Sequence, residues 1–347
     1  MFTRLILVIM ALGTTLTACS QIDQESPREL KVITHDSFAI SEEVITQFEE
    51  QYGAKVQFIK AGDTGTALNK VILSKGSPLG DVFFGVDNTF LSRALTEEIY
   101  EPYNSPLLNS IPDEFKIDNQ NRALPVDFGD VCPNYDKAFF RSAGTTPPTS
   151  LEDLLNPEYR GLLVVQNPAT SSPGLAFMLT TIGRFGEEGY LDYWQGLVDN
   201  DMLVVNDWES AYYNEFSVHG GTHPIVISYG SSPPAEVIFA EIEIAEPPTG
   251  VLVENESCFR QIEFIGIVKG TQNRELAEKF IDFVLSPSFQ EDMPMQMFVF
   301  PVNQEAQLPE QFAEFASIAE STAEVDPDAI AEKREIWLQD WIATVLR

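Results

Sequence analysis

Apolar positions along this 347-residue chain fall into two alternating rhythms. Leu30-Lys31-Val32-Ile33-Thr34 is a short β-rich run and reads as a strand. Ser41 then stands as an N-cap, with Glu42 and Glu43 in the first turn. Val44, Ile45, Phe48 and Tyr52 form an apolar stripe at helical spacing, and Gly53 is the stop. Residues 56–59 predict a second strand, and residues 66–73 a second helix ending near Gly76. Residues 81–86 (DVFFGV) predict a buried strand, and Asp87-Asn88-Thr89 begins a further helix. The pattern resumes downstream, with strands at 162–166, 202–206 and 224–229 and helices at 173–183, 190–197 and 277–285. Residues 326–347 carry Ile330, Ile336, Trp337, Trp341 and Val345 at roughly helical spacing.

Strands that alternate with helices in this way predict an α/β protein with a mostly parallel, doubly wound sheet, whose ligand sites lie at the carboxyl ends of its strands. Residues 124–135 and 257–268 read as two crossings between separate blocks. The division that follows has residues 29–126 as a first lobe, 127–257 as a second, and 258–347 as a return to the first. The lobe that holds the last helices stays open. Two doubly wound lobes joined by hinge strands have a shape suited to closing around a ligand.

The N-terminus adds a location. Arg4 precedes a short apolar run (residues 5–12), and Leu16-Thr17-Ala18-Cys19 follows. One positive residue, a brief apolar core and small residues before a cut site describe a secretory signal over residues 1–18, too short to span a membrane. Cys19 would then head the mature chain, with residues 19–28 as a polar tether. The formal net charge of -32 makes nucleic acid or an anionic membrane surface a poor partner. Cys132 and Cys258 remain, either as one disulfide or as two buried thiols. His35, His219 and His223 fall in no metal-ligand spacing, and no GxSxG elbow is present, so neither a metal centre nor an esterase-like hydrolase is indicated.

Several separated stretches carry a resemblance. They are His35-Asp36-Ser37-Phe38, Gly85-Val86-Asp87-Asn88, Val126-Asp127-Phe128-Gly129 and Thr170-Ser171-Ser172-Pro173-Gly174. Further along come Trp208-Glu209-Ser210-Ala211-Tyr212, Ser228-Tyr229, Ser286-Pro287-Ser288-Phe289-Gln290 and Phe300-Pro301-Val302. In this order and spacing the chain resembles the periplasmic thiamine-binding proteins of ABC importers, from about Leu30 to the C-terminus. Leu16-Thr17-Ala18-Cys19 likewise resembles the bacterial lipoprotein box, in which the new N-terminal cysteine is lipidated. The resemblance implies a bilobal fold like that of type II periplasmic binding proteins, in a monomeric lipoprotein anchored outside the cytoplasm. It implies no cofactor and no catalysis. The expected partners are thiamine, its monophosphate or its diphosphate, and the importer's membrane subunits.

Thiamine combines a cationic thiazolium, a flat aminopyrimidine and a hydroxyethyl or phosphate tail, so its site needs aromatic faces, a carboxylate or carbonyl, and donors for the tail. By this resemblance Trp208 is the aromatic wall, and Tyr229, Gly230, Ser231 and Ser232 contact the ligand through ring, hydroxyls and backbone. Ser171 and Ser172 lead into a helix whose exposed amides would cradle a phosphate, with Ser172 as its cap. Asp63 and Thr64 lie in a Gly-bracketed loop, where Asp63 either accepts the aminopyrimidine hydrogen bond or caps a helix. Asp36 and Asp87 each follow a strand, and either faces the cation or serves local turn chemistry. The chain departs from its relatives at His35, Phe298 and Ala235, where related proteins carry tyrosine, tryptophan and tyrosine in turn. Ferric iron, a polyamine and a sulfonated pyrimidine are the rival cargoes, and Tyr212-Tyr213 is the pair that would suit iron.

Overall fold

A computed structural model describes residues 28–346. The signal, Cys19 and the tether up to residue 27 lie outside the described residues. Arg28, expected to end the tether, instead opens the first strand, β1 (Arg28–Thr34).

The first lobe follows from strong local signals. Ser41 caps α1 (Glu42–Tyr52), its hydroxyl accepting the Val44 amide at 3.4 Å, and Gly53 closes the helix at φ 57°. β2 (Ala54–Lys60) leads to α2 (Thr64–Leu73), β3 (Val82–Asp87) and α3 (Leu91–Thr96). Every residue of β3 is buried, as expected of a parallel strand covered on both faces. The two-residue β4 (Tyr100–Glu101) precedes the long β5 (Leu124–Asp136), which carries the chain into the second lobe. There α4 (Lys137–Ala143), β6 (Leu163–Gln166), α5 (Ser172–Asp199), β7 (Leu203–Val205), β8 (Ile225–Tyr229) and β9 (Thr249–Val251) follow. β10 (Phe259–Val268) returns, and β11 (Phe300–Pro301) pairs with β5.

The main strand order is β2-β1-β3-β10-β5-β8-β6-β7. Pairing is parallel among β1, β2 and β3 and among β6, β7 and β8. At the centre β10 and β5 run antiparallel to each other and to their neighbours. The mostly parallel sheet expected from the sequence is therefore a mixed one, because a chain that leaves a lobe and comes back crosses itself in the opposite sense. The architecture remains a two-lobed α/β fold.

The crossing is stitched. Cys132 on β5 and Cys258 just before β10 form a disulfide, with their Cα atoms 4.4 Å apart. Two residues earlier on β5, Asp130 takes both guanidinium nitrogens of Arg260, at 2.8 and 2.9 Å. The helices expected at 173–183 and 190–197 are the two arms of α5, which breaks at Gly186 (φ 75°). The helix Pro327–Val345 belongs to neither lobe alone. Its Trp341 sits edge-on to Trp194 of α5 at 5.3 Å, whereas Arg334 lies 4.3 Å over the ring of Phe90, just before α3. Ile336, counted in the apolar stripe, is 58% exposed, and the buried face runs through Ile330, Trp337, Leu338 and Trp341 instead.

Candidate functional site

The carboxyl ends of the parallel strands from both lobes converge on one cavity of about 250 Å³. His35, Asp36 and Phe38 follow β1, Lys60 ends β2, and Asp63 and Thr64 head α2. Facing them are Ser172 and Pro173 at the head of α5, Trp208 beyond β7, Tyr229 at the end of β8 and Ser232 just after it. Glu263 on β10 and Phe298 also line it. This is where ligands bind open α/β sheets, outside the carboxyl ends of the strands.

The aromatic wall is fixed from behind. Trp208 stacks on Tyr212 (4.9 Å, 15° between planes) and donates its indole N–H to Ser228 Oγ at 3.0 Å. Ser228 Oγ in turn lies 3.0 Å from Ser232 Oγ. The Trp208 backbone amide donates to Asp63 Oδ2 at 3.3 Å, across the cleft. The other oxygen of Asp63 caps α2 through the Thr64 amide at 2.7 Å. Burial pushes the Asp63 carboxyl up, and the nearby Ser171 hydroxyl, then the Thr64 amide, hold it partly back. Asp63 thus positions the tryptophan as well as its own helix. Tyr229 stands edge-on to Trp208 at 6.5 Å, and its hydroxyl accepts from Gln261 Nε2 at 3.0 Å. Burial, then the nearby Glu263, drives the Tyr229 phenol well above its usual range.

His35 fills space that Gly85 leaves open. Gly85 has φ 99°, and a Cβ there would lie 2.4 Å from the imidazole Cδ2. His35 Nε2 lies 3.6 Å from Glu263 Oε2. Burial disfavours its protonation, but Glu263 foremost, with Asp63 and Asp36, leaves the imidazole raised above its ordinary value. Asp36 Oδ1 accepts the Gly62 amide at 2.9 Å, which ties the β1 and β2 loops together. Thr64 Oγ1 donates to the Gly85 carbonyl at 3.0 Å. Phe298 adopts φ 58°, an unusual backbone for a bulky residue, and meets Phe239 of the other lobe edge-on at 5.9 Å.

Of the twelve ligand contacts expected from the sequence, nine line the cavity: His35, Asp36, Asp63, Thr64, Ser172, Trp208, Tyr229, Ser232 and Phe298. Ser171, Gly230 and Ser231 do not. Gly230 is occupied by its own backbone, its amide donating to the Asp130 carbonyl and its carbonyl accepting from Ser317, both at 2.8 Å. Ser231 is fully buried, with its hydroxyl unpaired among the described residues. The N-cap of α5 is Ser171 rather than Ser172. A cap hydroxyl bonds the second or third helical amide, and the second helical residue here is Pro173, which has none. Neither serine makes a side-chain cap. Ser172 Oγ is left buried and unpaired within the cavity lining.

Glu263, Phe38, Lys60 and Tyr213 also line the cavity and were not singled out as ligand contacts. Glu263 left one signal, a lone charge inside the apolar run Ile262-Glu263-Phe264-Ile265. Among the described residues, no group of three or more His, Cys, Asp or Glu side chains could hold a metal ion. No helix there is long and apolar enough to cross a membrane.

A family model described as bacterial extracellular solute-binding protein matches residues 77–317. Over 325 residues the sequence is 28% identical to a thiamine-binding periplasmic protein of Salmonella typhimurium, covering 92% of this chain and 94% of that one. A solved periplasmic thiamin binding protein superposes with a TM-score of 0.80 at 25% identity, covering 92% of this chain and 97% of its own. Iron uptake protein A1 of Synechocystis is more distant, 22% identical over 317 residues, with 86% of this chain and 82% of that protein covered.

Proposed function

The chain belongs to the bacterial extracellular solute-binding protein family, and from that premise we propose that it captures thiamine or a thiamine phosphate and delivers it to the membrane subunits of an ABC importer. One observation carries the cargo: a cavity between two lobes that combines a rigid indole face, Trp208, with a buried carboxylate, Glu263. An indole face and a carboxylate together suit a flat cationic ring. Ligand held by both lobes favours their closure, since only differential affinity shifts such an equilibrium. No histidine hydrogen-bonds to Ser171 or Ser172 among the described residues, which supports binding rather than hydrolysis.

The iron reading fares worse. Tyr212 donates its hydroxyl to Glu236 at 3.0 Å, and burial, together with that carboxylate, raises its phenol well above the usual range. A phenol held neutral is a poor iron ligand. The test is calorimetry of ligand-stripped protein against thiamine, its two phosphates and ferric citrate. Binding of a thiamine form at micromolar concentration or tighter is expected, with no tyrosinate absorption on adding iron. A tyrosinate band without thiamine binding would reverse the assignment.

The tail is proposed to lie at the start of α5, where Ser172 Oγ has no partner among the described residues and the first turn of a helix favours an anion. Ser172→Ala is expected to weaken the phosphorylated ligands by about tenfold or more and free thiamine by less, because a hydrogen bond to a charged group contributes about 1.5 kcal/mol or more. Equal loss for all three would remove Ser172 from the tail site.

Cys19 is proposed as the lipid attachment point of an extracytoplasmic lipoprotein. More than one acyl chain makes such an anchor durable. The native protein is expected in the detergent phase, and Cys19→Ala in soluble or medium fractions. Native protein that is wholly soluble after processing would exclude the anchor.

A further inference from the structure

Three carboxylates stand in a row across the crossing of the lobes. Glu263 on β10 is directly opposite Asp87 on β3 and opposite Asp127 on β5. All three are buried, at 7%, 0% and 1% exposure in that order. Like charges set directly opposite on neighbouring strands repel, and burial weakens the solvent screening between them. Only Glu263 reaches the cavity. Among the described residues, neither oxygen of Asp127 and only one oxygen of Asp87 has a hydrogen-bond partner.

We propose that Glu263 is the counter-ion of the ligand's cationic ring, that it shares a proton with Asp127 in the empty site, and that cation binding expels this proton to solvent. The inference rests on the thiamine reading and adds to it the group that selects for charge. Two buried carboxyl groups with no donor between them satisfy each other only when one is protonated, Asp127 O–H donating to Glu263. The ligand's positive charge then takes over the role of that proton. Site charge is conserved: one cation enters and one proton leaves.

The surroundings favour this exchange. Glu263 is faced by Asp87 from β3, Asp127 from β5, His35 from the loop after β1, Asp63 from the head of α2 and Tyr229 from β8. Burial first, then Glu263 and Asp87, raises Asp127 well above the carboxylate range. Asp87 is pushed up to about 7, chiefly by burial; its bonds from Thr89 oppose this, and Glu263 and Asp63 reinforce it. Asp87 also senses Arg334, from the Pro327–Val345 helix. His35 lies 3.6 Å from Glu263, with Asp63 and Asp36 nearby, and these carboxylates favour its protonated form. A ligand cation lowers the acids' proton affinity, so binding releases protons and affinity rises with pH until the empty site is itself deprotonated.

The test is calorimetry with free thiamine, whose lack of phosphate removes a group that titrates near 6. Titrations run between about pH 6 and 8, in buffers of differing ionisation enthalpy. Wild type is expected to release up to about one proton per thiamine, with affinity rising by up to about tenfold per pH unit. Asp127→Asn can donate to Glu263 without titrating, so it should still bind and release less. Glu263→Gln should lose at least about tenfold in affinity and most of the pH slope. Buffer-independent heat in wild type, or undiminished release in both variants, overturns the proposal and leaves the cargo assignment standing. Absence of binding by every thiamine form overturns the cargo assignment, and this proposal with it. If Glu263→Gln does not fold, the proton count in wild type and Asp127→Asn decides.

Discussion

Trp208→Ala is expected to cost roughly two orders of magnitude in affinity for thiamine, or about 3 kcal/mol. A desolvated cation over an indole contributes about 2 kcal/mol, and the apolar area lost with the ring supplies the remainder. The ring is preorganised, because Tyr212 covers one face and Ser228 holds the indole N–H. The ligand therefore does not have to order it, and nearly all of the contact is available for binding. Trp208→Phe, which keeps an aromatic face but loses the bond to Ser228, should fall between the two. Calorimetry and tryptophan fluorescence on wild type and both variants provide the measurement. A loss smaller than about threefold for Trp208→Ala would move the ring contact elsewhere in the cavity.

Much of this site was legible because its residues sit at ends of elements, where local chemistry speaks. Ser41 and Gly53 bounded α1 without any tertiary information. The residues His35, Asp36, Asp63, Trp208 and Tyr229 followed from the α/β order, since each ends a strand, comes soon after one or heads the next helix. What the sequence hid was lateral. Glu263 stands opposite Asp87 and Asp127, far away in the chain, and only strand register makes them neighbours. A charge in an apolar run shows that something unusual is buried, without naming its partners.

The remaining differences have the same character. Gly230 and Ser231 were expected in the site because they follow Tyr229, yet the chain turns there to pair with Asp130 and Ser317. Ile336 fitted a helical stripe, but the Pro327–Val345 helix packs on α5 and near α3 at once, and this selects a different face. The division into lobes faces the same difficulty. Strand order follows from local pattern, whereas the seat of a terminal helix depends on which two surfaces it covers.

Replacing both Cys132 and Cys258 by alanine is expected to lower unfolding stability by about 3–5 kcal/mol and to leave thiamine affinity within about threefold. The bridge joins residues 126 apart, so it removes a large share of the freedom of the unfolded chain. On the loop-closure argument, a ring of about 100 residues contributes about 4.7 kcal/mol. The bridge also lies at the one place where both lobes share strands, beside the Asp130–Arg260 pair and packed against Ala319. Alanine is the informative replacement. Serine would bury two hydroxyls among apolar neighbours, at about 1–3 kcal/mol each if unpaired, and would inflate the effect. The ligand cavity does not include either cysteine, so binding should persist below the new melting point. For a chain of this size the expected fall in Tm is on the order of 10 °C. Denatured, non-reduced native protein should show no free thiol at these positions. Two titratable thiols there, or a double variant melting within about 2 °C of wild type, would remove the disulfide from the account of how the hinge is held.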